Sequence, residues 1–452
     1  MRHLFYSIVF WLLVSSLGYS QEQFIVKNKK GTDKIEFKLI NNLIVIPLEI
    51  NGVTLSFLVD TGVSKPIVFN FLNISDSLKI KNPQSILLRG LGEGEPINAF
   101  RSRNNVFRIG AVVNNNQDLY AIHDSDINFS SKLGMPIHGI IGFDLFKDLV
   151  VEINYKRQFL KLTNPGKEVN KPCRTCEEFV LEFYNNKPYI MGEVEIDKKR
   201  IPVKMLMDSG GSDALWLFEN KKEGIVVSDY YFNDFLGHGL SGSVYGKRSK
   251  IKAFYLKNFA IKNPNVAFPD STSIGHVLSH KERHGSIAAG VLKRFNLIFN
   301  YRKATVILKK NSFFKAPFGY NKSGIELAHD GVQFVKEAGY FVSHTAPKVN
   351  QKLENSTQTE FNSSYKLTLK PVYSIVELRA NSPADKAGLQ IGDRILSINN
   401  KRAYRFTLQK LTEFFYGDHG TRIKLKIERD GSIFVCNFNL EDVLNNKKGL
   451  KP

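Results

Sequence analysis

Phe57-Leu58-Val59-Asp60-Thr61-Gly62 recurs as Met205-Leu206-Met207-Asp208-Ser209-Gly210. Each stretch is an apolar run ending in an aspartate, a small hydroxyl residue and a glycine. In each copy, the Gly of a small apolar triplet lies 82 residues after the Asp: Ile140-Ile141-Gly142, then Ala288-Ala289-Gly290. A Gly-rich stretch stands between them, Gly90-Leu91-Gly92-Glu93-Gly94 in one copy and Gly237-His238-Gly239-Leu240-Ser241-Gly242 in the other. Two carboxylates at matching points of two repeats suggest a symmetric site in which the two acids meet.

The repeat extends outward from these motifs. Residues 43–50 are apolar-rich, Asn51-Gly52 is a strong hairpin signal, and residues 53–59 return straight into Asp60. In the second copy residues 189–196, a polar turn at Asp197-Lys198-Lys199 and residues 201–207 lead into Asp208. An acid just past a strand, with Gly two residues on, places its carboxylate on a tight loop that backbone N–H groups can approach. After each triplet comes a short helix-like piece (143–147, 291–295), then a strand pair (149–155 with 159–162, 297–301 with 305–308). Each copy thus covers about 120 residues.

The 452 residues allow two or three domains, each with its own core. Residues 1–20 read as a signal peptide: Arg2 and His3 form a basic start, residues 4–17 are apolar, and Gly18 and Ser20 are small residues before a cleavage point at Gln21. The expected destination is outside the cytoplasm, in the periplasm, at the outer envelope or secreted, with no transmembrane span in the mature chain. The net charge of +20 is scattered and accompanied by no nucleic-acid motif, so it reads as a solvated basic surface. Cys173 and Cys176 stand within a linker at 166–178 and suit a local disulfide, and Cys436 suits a core position in a strand. His276, His280 and His284 would share one face of a helix at metal-ligand spacing. A solvated polar helix face is the reading preferred to a zinc site, and no metal is assigned.

A third unit covers 321–442, followed by a basic tail at 443–452. Ser382 reads as an N-cap with Pro383 in the first turn, Gly388 ends that helix, and Gly392-Asp393 turns into a strand. Thr407 caps a second helix, with Leu408, Leu411 and Phe415 on one face. Two strands follow around Asp430-Gly431.

The doubled Asp-Thr/Ser-Gly with its downstream triplet resembles the pepsin-like and retropepsin-like aspartic proteases over about residues 21–315. The segment 382–400 resembles the PDZ modules attached to bacterial envelope proteases. The expected architecture is mainly β: two pseudo-symmetric lobes at 21–165 and 179–315, then a C-terminal PDZ domain. The order of parts resembles a family of bacterial exported aspartyl proteases. That resemblance implies a catalytic pair of Asp60 and Asp208, which activates a water and protonates the scissile carbonyl with no cofactor or covalent intermediate. It gives Thr61 and Ser209 the role of locking the two loops together, and lets Gly62 and Gly210 bring backbone close to the carboxylates. Gly90, Gly92, Gly94, Gly237, Gly239 and Gly242 take the place of flaps closing over an extended peptide or protein substrate. In the PDZ domain Ile375, Val376, Leu378, Leu408 and Leu411 are the candidate groove, open to a C-terminal peptide. A module that packs without binding peptide is the alternative. One chain supplies both acids, so a monomer suffices for the site.

The sequence departs from that family at two places. Val63 and Gly211 follow the motif glycines where the family carries Ser or Ala, which removes a hydroxyl from each carboxylate and moves the expected pH optimum toward neutral. The Ala-Ala-Gly triplet is less bulky than Ile-Ile-Gly. The expected function is an exported aspartic endopeptidase whose PDZ domain recruits substrate or governs access. The alternative is a catalytically inactive envelope protein that binds peptides on the same fold.

Overall fold

The computed structural model describes residues 23–69, 78–79, 83–90, 95–122, 129–167, 173–275, 282–343 and 360–444, and side chains at 338–343 and 360–364 are not part of that description. The signal segment, Gly92, Gly94, His276, His280 and the end of the basic tail lie outside it. The described chain separates into two units, residues up to 321 and residues 322–441.

In the first unit the expected hairpins form and become two similar sheets. Leu43–Ile50 and Val53–Val59 pair antiparallel around Asn51 and Gly52, both of which take positive φ. Gly139–Ile141 then lies parallel to Val53–Val59, placing Ile140 beside Leu58. The second copy repeats the plan: Lys187–Ile196 pairs with Lys199–Asp208, and Gly285–Ala288 lies parallel to the latter. Alternation sorts the side chains. Ile44, Ile46, Leu48 and Ile50 enter one core, while Leu43 and Val45 on the opposite face join a second cluster with Leu58, Ile137 and Ile140.

The lobes are joined more intimately than a linker between two domains implies. A six-stranded sheet runs in the order Cys176–Val180, Thr305–Lys310, Phe295–Asn300, Val150–Asn154, Phe159–Thr163, Thr32–Glu36. Its middle joint pairs Ile153 of the first repeat with Leu297 of the second. One apolar core continues through both lobes. The expected linker is already a strand by Cys176, because Cys176–Val180 completes that sheet against Thr305–Lys310. Cys173 and Cys176 form a disulfide just before it.

The second unit has its own core, which includes Ile375, Leu389, Ile395, Leu411, Phe415 and Leu425. Ser382 and Thr407 cap their helices through side-chain oxygens that accept from the Asp385 and Lys410 amides. Cys436 is half-buried on the edge strand Ser432–Asn439 and packs against that core. Ile325–Ser343 and Glu360–Leu378 form the longest hairpin, and beyond Val332 it exposes Phe334, Tyr365, Leu367 and Leu369 along one face.

Candidate active site

Asp60 and Asp208 are brought together at the joint between the lobes. Four hydrogen bonds cross between their loops. The Thr61 hydroxyl donates to the Met207 carbonyl (2.6 Å) and accepts from the Ser209 amide (3.0 Å). The Ser209 hydroxyl donates to the Val59 carbonyl (2.8 Å) and accepts from the Thr61 amide (3.1 Å). Both side chains are buried, so each hydroxyl satisfies two backbone groups of the opposite lobe. A second cross-lobe pair surrounds the first. Asn42 donates to the Ser212 carbonyl (2.8 Å), and Ser64 donates to the Asn185 carbonyl (2.8 Å). Ser64 and Ser212 each stand four residues past the Asp, and Asn42 and Asn185 belong to matching Asn-Asn turns.

The motif glycines allow this approach. A Cβ on Gly210 would overlap the Asp60 carboxyl, and one on Gly62 would lie 3.7 Å from the Asp208 Oδ1. The carboxyls are therefore close enough to oppose each other's ionisation. The rim of each remains accessible, although protein encloses both deeply. Burial first, then the charge of Asp208, pushes the Asp60 pKa up to about 7. The Asp208 carboxyl is also raised by burial, but Arg283 and the Gly211 amide oppose the rise.

Backbone amides support both carboxyls, and Gly210 acts on each of them. Asp60 Oδ1 accepts from Gly62 (2.7 Å), whereas Asp208 Oδ1 accepts from both Gly210 and Gly211 (3.0 Å each). The missing hydroxyl at position 211 thus has a compensation that the sequence does not reveal, a second amide on Asp208. Tyr155 and Tyr301, also within electrostatic reach, are kept neutral because burial raises both hydroxyls above the usual tyrosine range.

The strand register corrects the matching of the triplets. Phe143 N donates to the Val63 carbonyl, and its equivalent, Ala289 N, donates to the Gly211 carbonyl. Gly142 therefore corresponds to Ala288, and Ile140-Ile141-Gly142 to Ser286-Ile287-Ala288. The Ala-Ala-Gly reading is two residues late. The unrecognised marker is a His-Gly pair, His138-Gly139 and His284-Gly285. Each histidine accepts through Nδ1 from a strand amide, Ser56 (3.1 Å) and Lys204 (3.0 Å), and donates its own backbone N–H back to the same residue. His-Gly occurs at the start of both triplet strands, so this signal was visible in the sequence. His284 also contacts Glu223 through Nε2 (2.7 Å), a structural role away from any helix. Among the described residues no cluster suited to a metal occurs.

The second glycine-rich stretch is a hairpin tip, and of the first stretch only Gly90 is described. Phe232–Gly239 and Gly242–Lys250 pair up to Gly239 opposite Gly242, with Gly237 at an irregularity of positive φ. The other hairpin joins Gln84–Leu88 to Ile97–Ile109. The second tip meets the first lobe: Gly90 N donates to Ser241 Oγ (3.1 Å), and Leu240 packs into the apolar cluster of the first lobe. Arg248 ties the second hairpin to the Asp208 loop by pairing with Asp213 (2.6 Å) as well as Asp234 (2.8 Å).

In the second unit the candidate groove residues fall on an interior strand and a core-facing helix. The strand through Ile375 is interior: its neighbours are Ile325–Ser343 and Arg394–Ile398, and Ile375 itself is core. At Ile375 both backbone edges are taken, by Leu327 on one side and by the Gly392 amide and Asp393 carbonyl on the other. The sheet edge is Ile325–Ser343, and the helix Leu408–Glu413 packs against that strand. Leu408 and Leu411 point into the core from this helix. The loop before the edge strand is held internally, with the Lys322 amide on the Phe415 carbonyl (2.9 Å) and the Ile325 amide on Ser323 Oγ (3.0 Å).

Comparison with known families agrees with this geometry and is narrower than it. No curated protein matches the chain. Residues 46–145 match the family model described as aspartyl protease, which covers the Asp60 loop through the triplet of the first lobe only. The second lobe is tied to the first by pseudo-symmetry, seen in the register and the crossed hydroxyl bonds. Residues 374–429 match the model described as PDZ domain. The chain therefore carries an aspartyl protease domain and a C-terminal PDZ domain.

Proposed function

We propose that the chain is an exported aspartic endopeptidase that hydrolyses extended peptides between Asp60 and Asp208. The observation that carries this reading is the crossed hydroxyl lock, which holds two opposed carboxyls at one joint. In the proposed mechanism Asp208, supported as the anion by two amides and by Arg283, is the general base toward a water between the carboxyls. Asp60 holds the shared proton and donates it to the scissile carbonyl oxygen. The roles exchange as the tetrahedral intermediate collapses. The two glycine-rich stretches serve as flaps, and pairing with an extended substrate provides register. The PDZ domain recruits substrate or governs access.

A peptide-library digest tests this directly. Wild type should cleave, while Asp60→Asn and Asp208→Asn should each lose about 10³-fold or more of activity with unchanged circular dichroism. Full activity in either single variant would exclude the mechanism. Saturable peptide binding without turnover by wild type would support the inactive binding protein instead.

A further inference from the structure

The two lobes present unlike walls on either side of the carboxyls. Leu58 lies two residues before Asp60 and shares its strand face. Its neighbours there are Val45 across the antiparallel pairing and Ile140 across the parallel one. Leu43 and Ile137 belong to the same cluster, so this wall is apolar throughout. The corresponding residue beside Asp208 is Leu206, whose neighbours are Tyr189 and Ser286. The His-Gly equivalence places Arg283 where Ile137 stands, and the Asn-Asn turns place Lys187 where Leu43 stands. Four apolar positions have thus become Lys187, Tyr189, Arg283 and Ser286.

Three of these form a connected polar group. Arg283 donates to Ser286 Oγ (2.7 Å) and to the Gly285 carbonyl (3.2 Å), hydrogen-bonds Tyr189, and stacks over Phe218 at 5.2 Å. It is buried, and its position is set by those contacts. Lys187 is half-buried, and its ammonium makes neither a hydrogen bond nor an ion pair among the described residues. The charged groups it faces are Arg283, Asp60 and Asp208. The dyad carries one negative charge when it shares a proton. Burial and Arg283 lower the Lys187 pKa from its ordinary value while Asp60 and Asp208 oppose the fall, and when Lys187 is protonated it and Arg283 give the enclosed site one cation in excess. An enclosed charge without a counter-ion is costly, and a carboxylate brought by a ligand would remove that cost.

We propose that Lys187, positioned beside Arg283, forms a subsite for an acidic side chain on the Asp208 side of the cleft. The preferred substrate is then a peptide with Asp or Glu on one side of the scissile bond and an apolar residue on the other, against the Leu58–Ile140 wall. Arg283 acts through Tyr189 and Ser286 as a positioning residue, and Lys187 meets the substrate. The inference rests on the peptidase reading, because an extended chain crossing the dyad sets its two flanking side chains against different lobes.

The test compares kcat/KM for peptides that differ at one flanking position, Glu, Gln, Leu or Lys, with wild type, Lys187→Leu, Lys187→Arg and Lys187→Glu. Wild type should favour Glu over Gln by about tenfold or more, as a charge-assisted contact warrants. Lys187→Arg should keep the preference, Lys187→Leu should lose it, and Lys187→Glu should transfer it to Lys. If Lys187 served only the ionisation of the dyad, all peptides would shift together along the pH axis with unchanged ratios, and the proposal would be overturned. Binding of the same labelled peptides to Asp60→Asn, read by fluorescence anisotropy, separates the two claims. Preference for Glu in binding, absent once Lys187→Leu is added, supports the subsite even if wild type cleaves nothing. Equal binding of Glu and Gln peptides overturns it.

Discussion

Asp60 and Asp208 sit in repeats of one sequence yet differ in what supports their charge. Asp60 has one amide on Oδ1, whereas Asp208 has two and the field of Arg283. The high pKa of Asp60, about 7 against an ordinary 3.8, has two consequences. Turnover should fall as pH rises through about 7, because the proton donor is then lost, and a pH–rate profile checks this. The folded state also binds a proton that the unfolded chain releases near pH 3.8, so stability declines between that pH and about 7. Asp60→Asn removes the penalty. Its melting temperature should exceed that of wild type by a margin that is small at pH 4, grows to pH 7 and is level above it. A margin independent of pH would contradict the assignment. The motifs alone showed that two acids meet. Arg283 and Lys187 stand far from Asp208 in sequence, which is why the unequal support of the two acids was not legible there.

At the level of elements, the loops are locked by side chains and the strands are aligned by register. Thr61 and Ser209 are nearly isosteric with Val and Ala in shape, but each satisfies two buried backbone groups. Thr61→Val should leave the Met207 carbonyl and the Ser209 amide without partners and cost about 2 kcal/mol or more, measured as a lower urea midpoint with unchanged slope. The hairpin at Asn51-Gly52, both capped helices of the second unit and the strand pairs after each triplet were readable from local chemistry. Two features were not. Equal spacing matched Gly142 to Gly290, whereas the backbone matched it to Ala288, because the second lobe reaches its triplet strand two residues sooner. The strand through Ile375 proved to be interior, which an apolar sequence does not announce. Ile325–Ser343 takes the edge from almost 50 residues upstream.

Across the whole chain, the pattern of cores predicts which pieces can stand alone. Residues 322–441 enclose a separate core, so that fragment should unfold in one cooperative transition, with a chemical-shift dispersion typical of folded protein. Residues 23–165 should not. Within them, Val150–Asn154 loses its neighbour Phe295–Asn300, and a core built from both lobes is cut through. A fragment that is monomeric and cooperatively folded at that length would refute the view of the lobes as one folding unit. The basic net charge belongs to this scale too, since the cationic wall near Asp208 is one local expression of it and the dispersed surface lysines are another.

The duplicated Asp-Thr/Ser-Gly determined by itself that the chain makes two related β lobes with an acid at the end of a strand in each. Ser382-Pro383 and Gly388 likewise determined the local form of the second unit. These are short-range matters: turn residues, caps and alternation act within a few positions. Tertiary structure decided that both carboxyls are raised by burial, how the lobes share a sheet, and that apolar neighbours of Leu58 are matched by polar and charged ones near Leu206. Those properties arise where residues far apart in sequence come into contact, with burial amplifying each charge and strand register choosing its neighbours.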